Sequence, residues 1–157
     1  MQSPLSPAEK RELWGEFADH EDEYLDEVEV RWGGTDAYTQ SAQRVSRYGK
    51  AEWEAINSSN AAVEARIREL MDAGADPTSP EAMDVAEAQR VHISRWFYDM
   101  DHEFHVQKSD LYVQDPKFRD GIERNTRPGA AEWLQLAIIA NALRQVPAAA
   151  PQPEERA

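Results

Sequence analysis

The sequence predicts an all-α domain of about six or seven helices, on three observations. Helix-start signals recur along the chain, each a Ser, Thr or Asp cap followed by Pro or an acidic residue. Apolar residues return at steps of three and four, the helical period. No segment alternates with period two for long enough to make a strand, and the one candidate, DEVEVRW (residues 26–32), places its valines equally well on a helix.

The elements follow in order. In SPAEKRELWGEF, Ser6 caps a helix with Pro7 at its first position and Glu9 in its first turn. Thr35 precedes the next helix and Gly49 stands near its end. From Trp53 the apolar positions run Trp53, Ile56, Val63, Ile67, Leu70 and Met71, with Asn60 at the missing step and a stop at Gly74. Ser79-Pro80 opens a further helix, and Asp115-Pro116 repeats the device. The last helix carries Trp133, Ala137 and Ile138 on one side. After Pro147 the composition, rich in Pro and Ala, predicts a disordered tail over 148–157.

With 157 residues, 41% hydrophobic and 30% charged, the chain holds one domain with one core. It contains no cysteine, which excludes disulfides, thiolate metal sites and a thiol nucleophile, and fits a cytoplasmic protein. No apolar run is long enough to span a membrane, and MQSPLSPAEK lacks the apolar core of a signal peptide. A net charge of −13, from 17 basic and 30 acidic residues, argues against direct contact with nucleic acid. The acidity peaks between Glu12 and Val30, where nine carboxylates occur without one Lys or Arg. Such a run reads as a solvated face or poorly ordered arm, or else as a mobile lid or an attractor for cationic groups.

A single helix over residues 80–113 would be roughly 51 Å long at about 1.5 Å per residue, too long for this domain. A break is expected at WFYDMD (residues 96–101). Beyond it the stripe Met100, Phe104, Gln107, Leu111 lies on one side of a helix, apolar except for Gln107. Trp96 falls near that face if the helix is regular. Tyr98, His105 and Tyr112 recur on the opposite side, as core residues with hydrogen-bonded tips or as part of a pocket wall. His92, His102 and His105 form an ordinary polar face: no HExxH or ExxH spacing points to a metal. Trp53 and Trp133 fit core positions, while Trp14 and Trp32 flank the acidic segment. No nucleophile elbow or phosphate loop is present, so the chain is not read as an enzyme and no cofactor is expected.

RWGGTDAYTQSAQR, ELMDAG, YVQDPKF and PGAAEWLQLAIIANA together resemble the TipAS antibiotic-recognition domain, from about Leu5 to Pro147. The resemblance implies a globin-like bundle around a cleft for bulky hydrophobic peptide-like antibiotics, thiopeptides such as thiostrepton or, in some members, albicidin. It also implies attachment to a MerR-type DNA-binding half, and an N-terminal part that is mobile until ligand orders it. In the thiopeptide sensors a cleft cysteine adds to a dehydroalanine of the drug. That cysteine falls at Gln107 here, and a second family cysteine falls at Met100. A carboxamide cannot replace the thiolate as nucleophile, and Lys108 points about 100° away around the helix.

The expected module is therefore residues 1–147, with 5–32 as its lid, binding its ligand reversibly. The cleft is assigned to Trp96, Met100, Glu103, Phe104, Gln107 and Leu111, with Gln107 as a polar contact and Glu103 favouring a cationic group. Trp14, Phe17, Tyr24 and Trp32 are assigned to the lid. Drug sequestration by a free-standing module and sensing by one half of a regulator both fit, the first slightly favoured because Met1 directly precedes the module. The alternative is a structural or protein-interaction module on the same fold that has lost its drug.

Overall fold

A computed structural model describes residues 4–146, so the tail expected at 148–157 lies outside the described residues. Eight α-helices and one 3₁₀ turn are present among them, and no strand. They are α1 (Pro7–Trp14), a 3₁₀ turn (Gly15–His20), α2 (Glu21–Trp32), α3 (Asp36–Val45), α4 (Lys50–Asp72), α5 (Pro80–Trp96), α6 (His102–Gln114), α7 (Pro116–Asn125) and α8 (Ala130–Gln145). The acidic segment is helical, and DEVEVRW lies within α2, where Val28 turns inward and Val30 is 86% exposed.

The helix starts follow the capping chemistry. Ser6, Thr35, Ser79, Asp101 and Asp115 each accept a backbone N–H of the first turn, and Ser6 with Glu9 completes a reciprocal capping box. Gly49 corrects the expectation: α3 already ends at Val45, with Ser46 as its C-cap, and Gly49 is the N-cap of α4. At the other end of α4, Gly74 has φ +74°, and Ala75 N–H donates to the Leu70 carbonyl while Gly74 N–H donates to that of Met71. This paired closure requires the left-handed conformation that glycine adopts at no steric cost.

The core sits where α4, α5, α6 and α8 meet. Val63, Ile67 and Leu70 of α4, Ala82, Val85 and Ala86 of α5, Tyr112 of α6, and Ala130, Trp133, Leu134, Ala137 and Ile138 of α8 form one buried cluster. Trp133 is structural, as its spacing suggests, and donates its indole N–H to the Ala75 carbonyl at 3.1 Å. The expected break comes between α5 and α6, and α3 holds it open. Arg44 donates to the Ser94 carbonyl and pairs with Asp99, Gln40 accepts from Asp99 N–H, and Tyr48, just past α3, donates to the Trp96 carbonyl.

In contrast, α1, the 3₁₀ turn, α2 and α3 contain no fully buried residue. Leu5, just ahead of α1, is buried. The N-terminal layer is held instead by ring contacts and by ion pairs such as Lys10–Glu21, Arg31–Asp115 and Lys117–Glu27. Lys117–Glu27 lies in the open, where such a pair contributes at most about 1 kcal/mol, and Lys10–Glu21 is half-buried. With no buried residue in its helices, the layer is weakly fixed relative to the core.

Candidate functional site

Between that N-terminal layer and the faces of α4, α5, α6 and α7 lies a cavity of ≈ 900 Å³. α8 contributes nothing to its wall and supports it from behind through α5 and α6. Aromatic rings dominate the lining. Trp14 meets Phe17 and Trp53 edge-on at 5.9 and 5.1 Å between centroids, and Phe17 meets Tyr24 at 5.3 Å. On the far side Trp32 meets Phe118 at 6.0 Å, Phe118 meets Tyr112 at 5.9 Å, and Tyr98 meets Phe104 at 5.6 Å. Such T-shaped and tilted contacts position the rings through one another. Phe97 and Tyr98, which lie in the break between α5 and α6, reach the cavity because the helix stops there. Burial pushes the Tyr98 phenol up to about 12, so it stays a neutral donor.

The four residues assigned to the lid, Trp14, Phe17, Tyr24 and Trp32, all line this cavity. Of the six assigned to the cleft, Phe104, Gln107 and Leu111 line it and three do not. Met100 stands apart from the cavity. It lies in the break, ahead of the α6 cap Asp101, so it is not on the α6 face at all. It is 1% exposed, its N–H donates to Ser94 Oγ, and its carbonyl accepts from Arg90. Trp96 ends α5 and turns to Tyr48 at 5.5 Å and to the Arg95 guanidinium at 4.7 Å, because the break removes the helical continuity that would have carried it to the Gln107 face. Glu103, in the first turn of α6, faces solvent. Gln107 is exposed to the cavity rather than buried, so its amide needs no protein partner.

Residues assigned elsewhere also belong to the wall. Trp53, read as core, borders the cavity, and its indole N–H has no hydrogen-bond acceptor. Asn60, the odd step on α4, borders it too. On α6 the wall residues are Phe104, Gln107, Lys108, Leu111 and Tyr112. That is the full i, i+3, i+4, i+7, i+8 stripe of a helix face, wider than the four-three-four stripe from which Lys108 was left out. Lys108 Nζ stands 4.9 Å from the Trp32 ring centroid and 5.8 Å from those of Tyr98 and Phe118. Burial, aided by the Arg31 charge, lowers its ammonium below the ordinary lysine range.

The histidines face away from the cavity lining. His105 is 1% exposed and bonds Gln89 at 2.7 Å, His102 bonds Glu87 at 2.8 Å, and His92 bonds Ser59 at 2.9 Å.

The family model described as the TipAS antibiotic-recognition domain matches residues 24–141. The chain belongs to the TipAS family. It is 41% identical over 143 residues to the HTH-type transcriptional activator TipA of Streptomyces coelicolor and equally to that of Streptomyces lividans, covering 91% of this chain and 55% of each relative. With the HTH-type transcriptional activator mta of Bacillus subtilis it shares 28% identity over 135 residues, 83% of this chain and 51% of the relative. The chain thus spans about half the length of the curated relatives it matches. Among solved structures, TipAS from Streptomyces lividans in complex with nosiheptide aligns with a TM-score of 0.82 and 40% identity, over 93% of this chain and all of that one. The antibiotic-binding domain of a TipA-class multidrug resistance transcriptional regulator aligns over 60% of this chain and all of the other, with a TM-score of 0.54 and 38% identity. The fold is the helical, globin-like one of that family.

Proposed function

We propose that this chain binds a bulky, hydrophobic, peptide-like antibiotic of the thiopeptide or albicidin class, non-covalently and without turning it over. The observation that carries this reading is the ≈ 900 Å³ cavity walled by aromatic rings from six helices, the 3₁₀ turn and the α5–α6 break, with a few polar groups among them. Flat heteroaromatic rings stack or tilt against such walls. Gln107, Asn60 and the unpartnered Trp53 N–H offer hydrogen bonds to amide groups. The open cavity with polar groups favours ligand binding over the structural-module alternative, which calls for an occluded and wholly apolar cleft. The likeness to TipAS bound to nosiheptide supports the same choice of ligand class. Binding serves sequestration or sensing in the cytoplasm; in sensing, a MerR-type DNA-binding half is the partner.

Residues 5–32 act as the lid of residues 1–147. Their aromatic side chains contribute cavity wall while the helices bury almost nothing of their own, which is the composition of a layer that opens locally at small cost.

Two measurements test the reading. Titration with nosiheptide is expected to give saturable quenching of tryptophan fluorescence, since Trp14, Trp32 and Trp53 all border the cavity, and the signal should recover on dilution. No change with either nosiheptide or thiostrepton at any soluble concentration removes the thiopeptide class. In limited proteolysis, bound drug is expected to slow cleavage between residues 13 and 32 by at least about tenfold, the population shift that roughly 1.4 kcal/mol of added closure gives. Unchanged cleavage in drug-saturated protein would refute the lid.

A further inference from the structure

Among the described residues, Lys108 is the single Lys or Arg that lines the cavity. Among the described residues it makes neither an ion pair nor a hydrogen bond, and its Nζ meets only the rings of Trp32, Tyr98 and Phe118. The carboxylate in the same wall, Glu21, is already paired with Lys10 at 2.7 Å. The nearby cation Arg31 is satisfied by Asp115 at 2.7 Å and adds positive potential. An ammonium in an apolar, aromatic box without a counter-charge is costly, and ring faces offset only part of that cost. Yet the chain has 30 acidic residues, and none of those described pairs with it.

A second observation points the same way. A smaller cavity of ≈ 460 Å³ adjoins the first through Phe17, Tyr24, Val28, Trp32 and Phe118. Its wall carries Arg31, Lys117 and Arg124 with Glu27 and Asp120, and Asp115, the partner of Arg31, balances the third cation, on a chain whose net charge is −13. The neighbourhood of Lys108 is therefore charge-balanced on a strongly acidic chain, and none of its carboxylates pairs with Lys108.

We infer that Lys108 is a specificity-determining residue which selects aromatic ligands bearing a carboxylate, the carboxylate supplying the counter-ion that the protein withholds. The inference rests on the reading of the cavity as an aromatic ligand site and adds the charge of its occupant. A neutral ligand leaves the ammonium unpaired in a site it has just dehydrated, whereas an anionic one forms a charge-assisted hydrogen bond there.

Pyrene-1-carboxylate and its methyl ester are a matched pair of fluorescent probes for the test, titrated into the full chain at neutral pH. Wild-type protein is expected to bind the acid about tenfold more tightly than the ester, the size of one desolvated charge-assisted hydrogen bond. Lys108→Arg should keep the preference, and Lys108→Met, with its helical circular dichroism intact, should abolish it. Equal affinity of wild-type protein for acid and ester overturns the inference while leaving the aromatic site standing. So does a preference that survives in Lys108→Met, which would move the anion to the Arg31–Lys117–Arg124 groove. If neither probe binds, the aromatic site itself fails and this inference with it. The wild-type comparison needs no variant, so a misfolded Lys108→Met leaves the inference open to refutation.

Discussion

Gln107→Cys is expected to turn a complex that releases its drug on dilution into one that survives denaturation. Position 107 lies on the cavity face of α6, exposed to the interior space, so a thiol placed there meets the bound ligand without any rearrangement of the helix. The neighbouring Lys108 ammonium, which has no carboxylate partner among the described residues, favours the thiolate over the thiol. The family resemblance places the drug-capturing cysteine at this position. Addition to a dehydroalanine forms one C–S bond at the terminal carbon, and the displaced π electrons take up a proton at the α-carbon. Nothing leaves. The adduct therefore weighs the sum of protein and drug. Intact-mass measurement under denaturing conditions, after incubation with thiostrepton, should show that sum for Gln107→Cys and unmodified mass for the wild type. With no cysteine elsewhere in the chain, a single adduct reports position 107 alone. If the variant still quenches saturably with thiostrepton yet gains no mass, the drug's alkene does not reach α6, and the alignment of this position with the family's cysteine is wrong.

The fold was legible in the sequence because its signals are local. Ser6, Thr35, Ser79 and Asp115 each announce a helix by chemistry that acts within one turn, and all four cap one. The cavity was legible in part, through residues that break a pattern. Gln107 on α6 and Asn60 on α4 each interrupt an apolar stripe, and both stand at the cavity wall. The interruption carries the signal: a polar group on an inward face is tolerated where there is space beside it. What escaped depends on geometry that spacing alone does not contain. Extending the α6 stripe back to Met100 and Trp96 assumes an unbroken helix, and five residues of non-helical chain redirect both. Trp53 has the spacing of a core residue, and only the position of α1 above it decides that it faces a cavity. Lys108 was set aside by an angle of about 100°, although a cavity contacted by two helical turns subtends at least that much of the helix surface.

Acid is expected to loosen the floor of the cavity before it disrupts the rest of the fold. The face of α6 turned away from the lining carries His105, 1% exposed, with its ring nitrogen 2.7 Å from Gln89 Oε1. Burial first, and the Arg90 charge second, push this imidazole down to about 4. The folded state therefore holds it neutral, whereas the unfolded chain titrates it near its ordinary value of about 6.5. Since the folded value is the lower, the stability it contributes is complete above about pH 6.5 and is lost as the pH falls through about 4, up to ~3 kcal/mol. Burial lowers His92 as well, which adds in the same direction. Glu87 acts lower on the scale. Hydrogen bonds from Arg90 foremost, and from Asn141 and His102, hold its carboxyl at about 2. Its contribution is present above its ordinary value and disappears as pH falls from about 4.5 towards 2, to a smaller extent because its side chain still meets solvent. Urea unfolding followed by circular dichroism should thus show the midpoint dropping between pH 7 and 4, and His105→Gln should flatten that limb while keeping the one below it. A wild-type midpoint constant from pH 7 to 4.5 would contradict the assignment. Because α6 carries Phe104, Gln107, Lys108, Leu111 and Tyr112 to the cavity, ligand affinity should weaken over the same window, and should do so less in His105→Gln. The pH dependence of binding would then belong to the packing behind the wall rather than to any group that touches the drug.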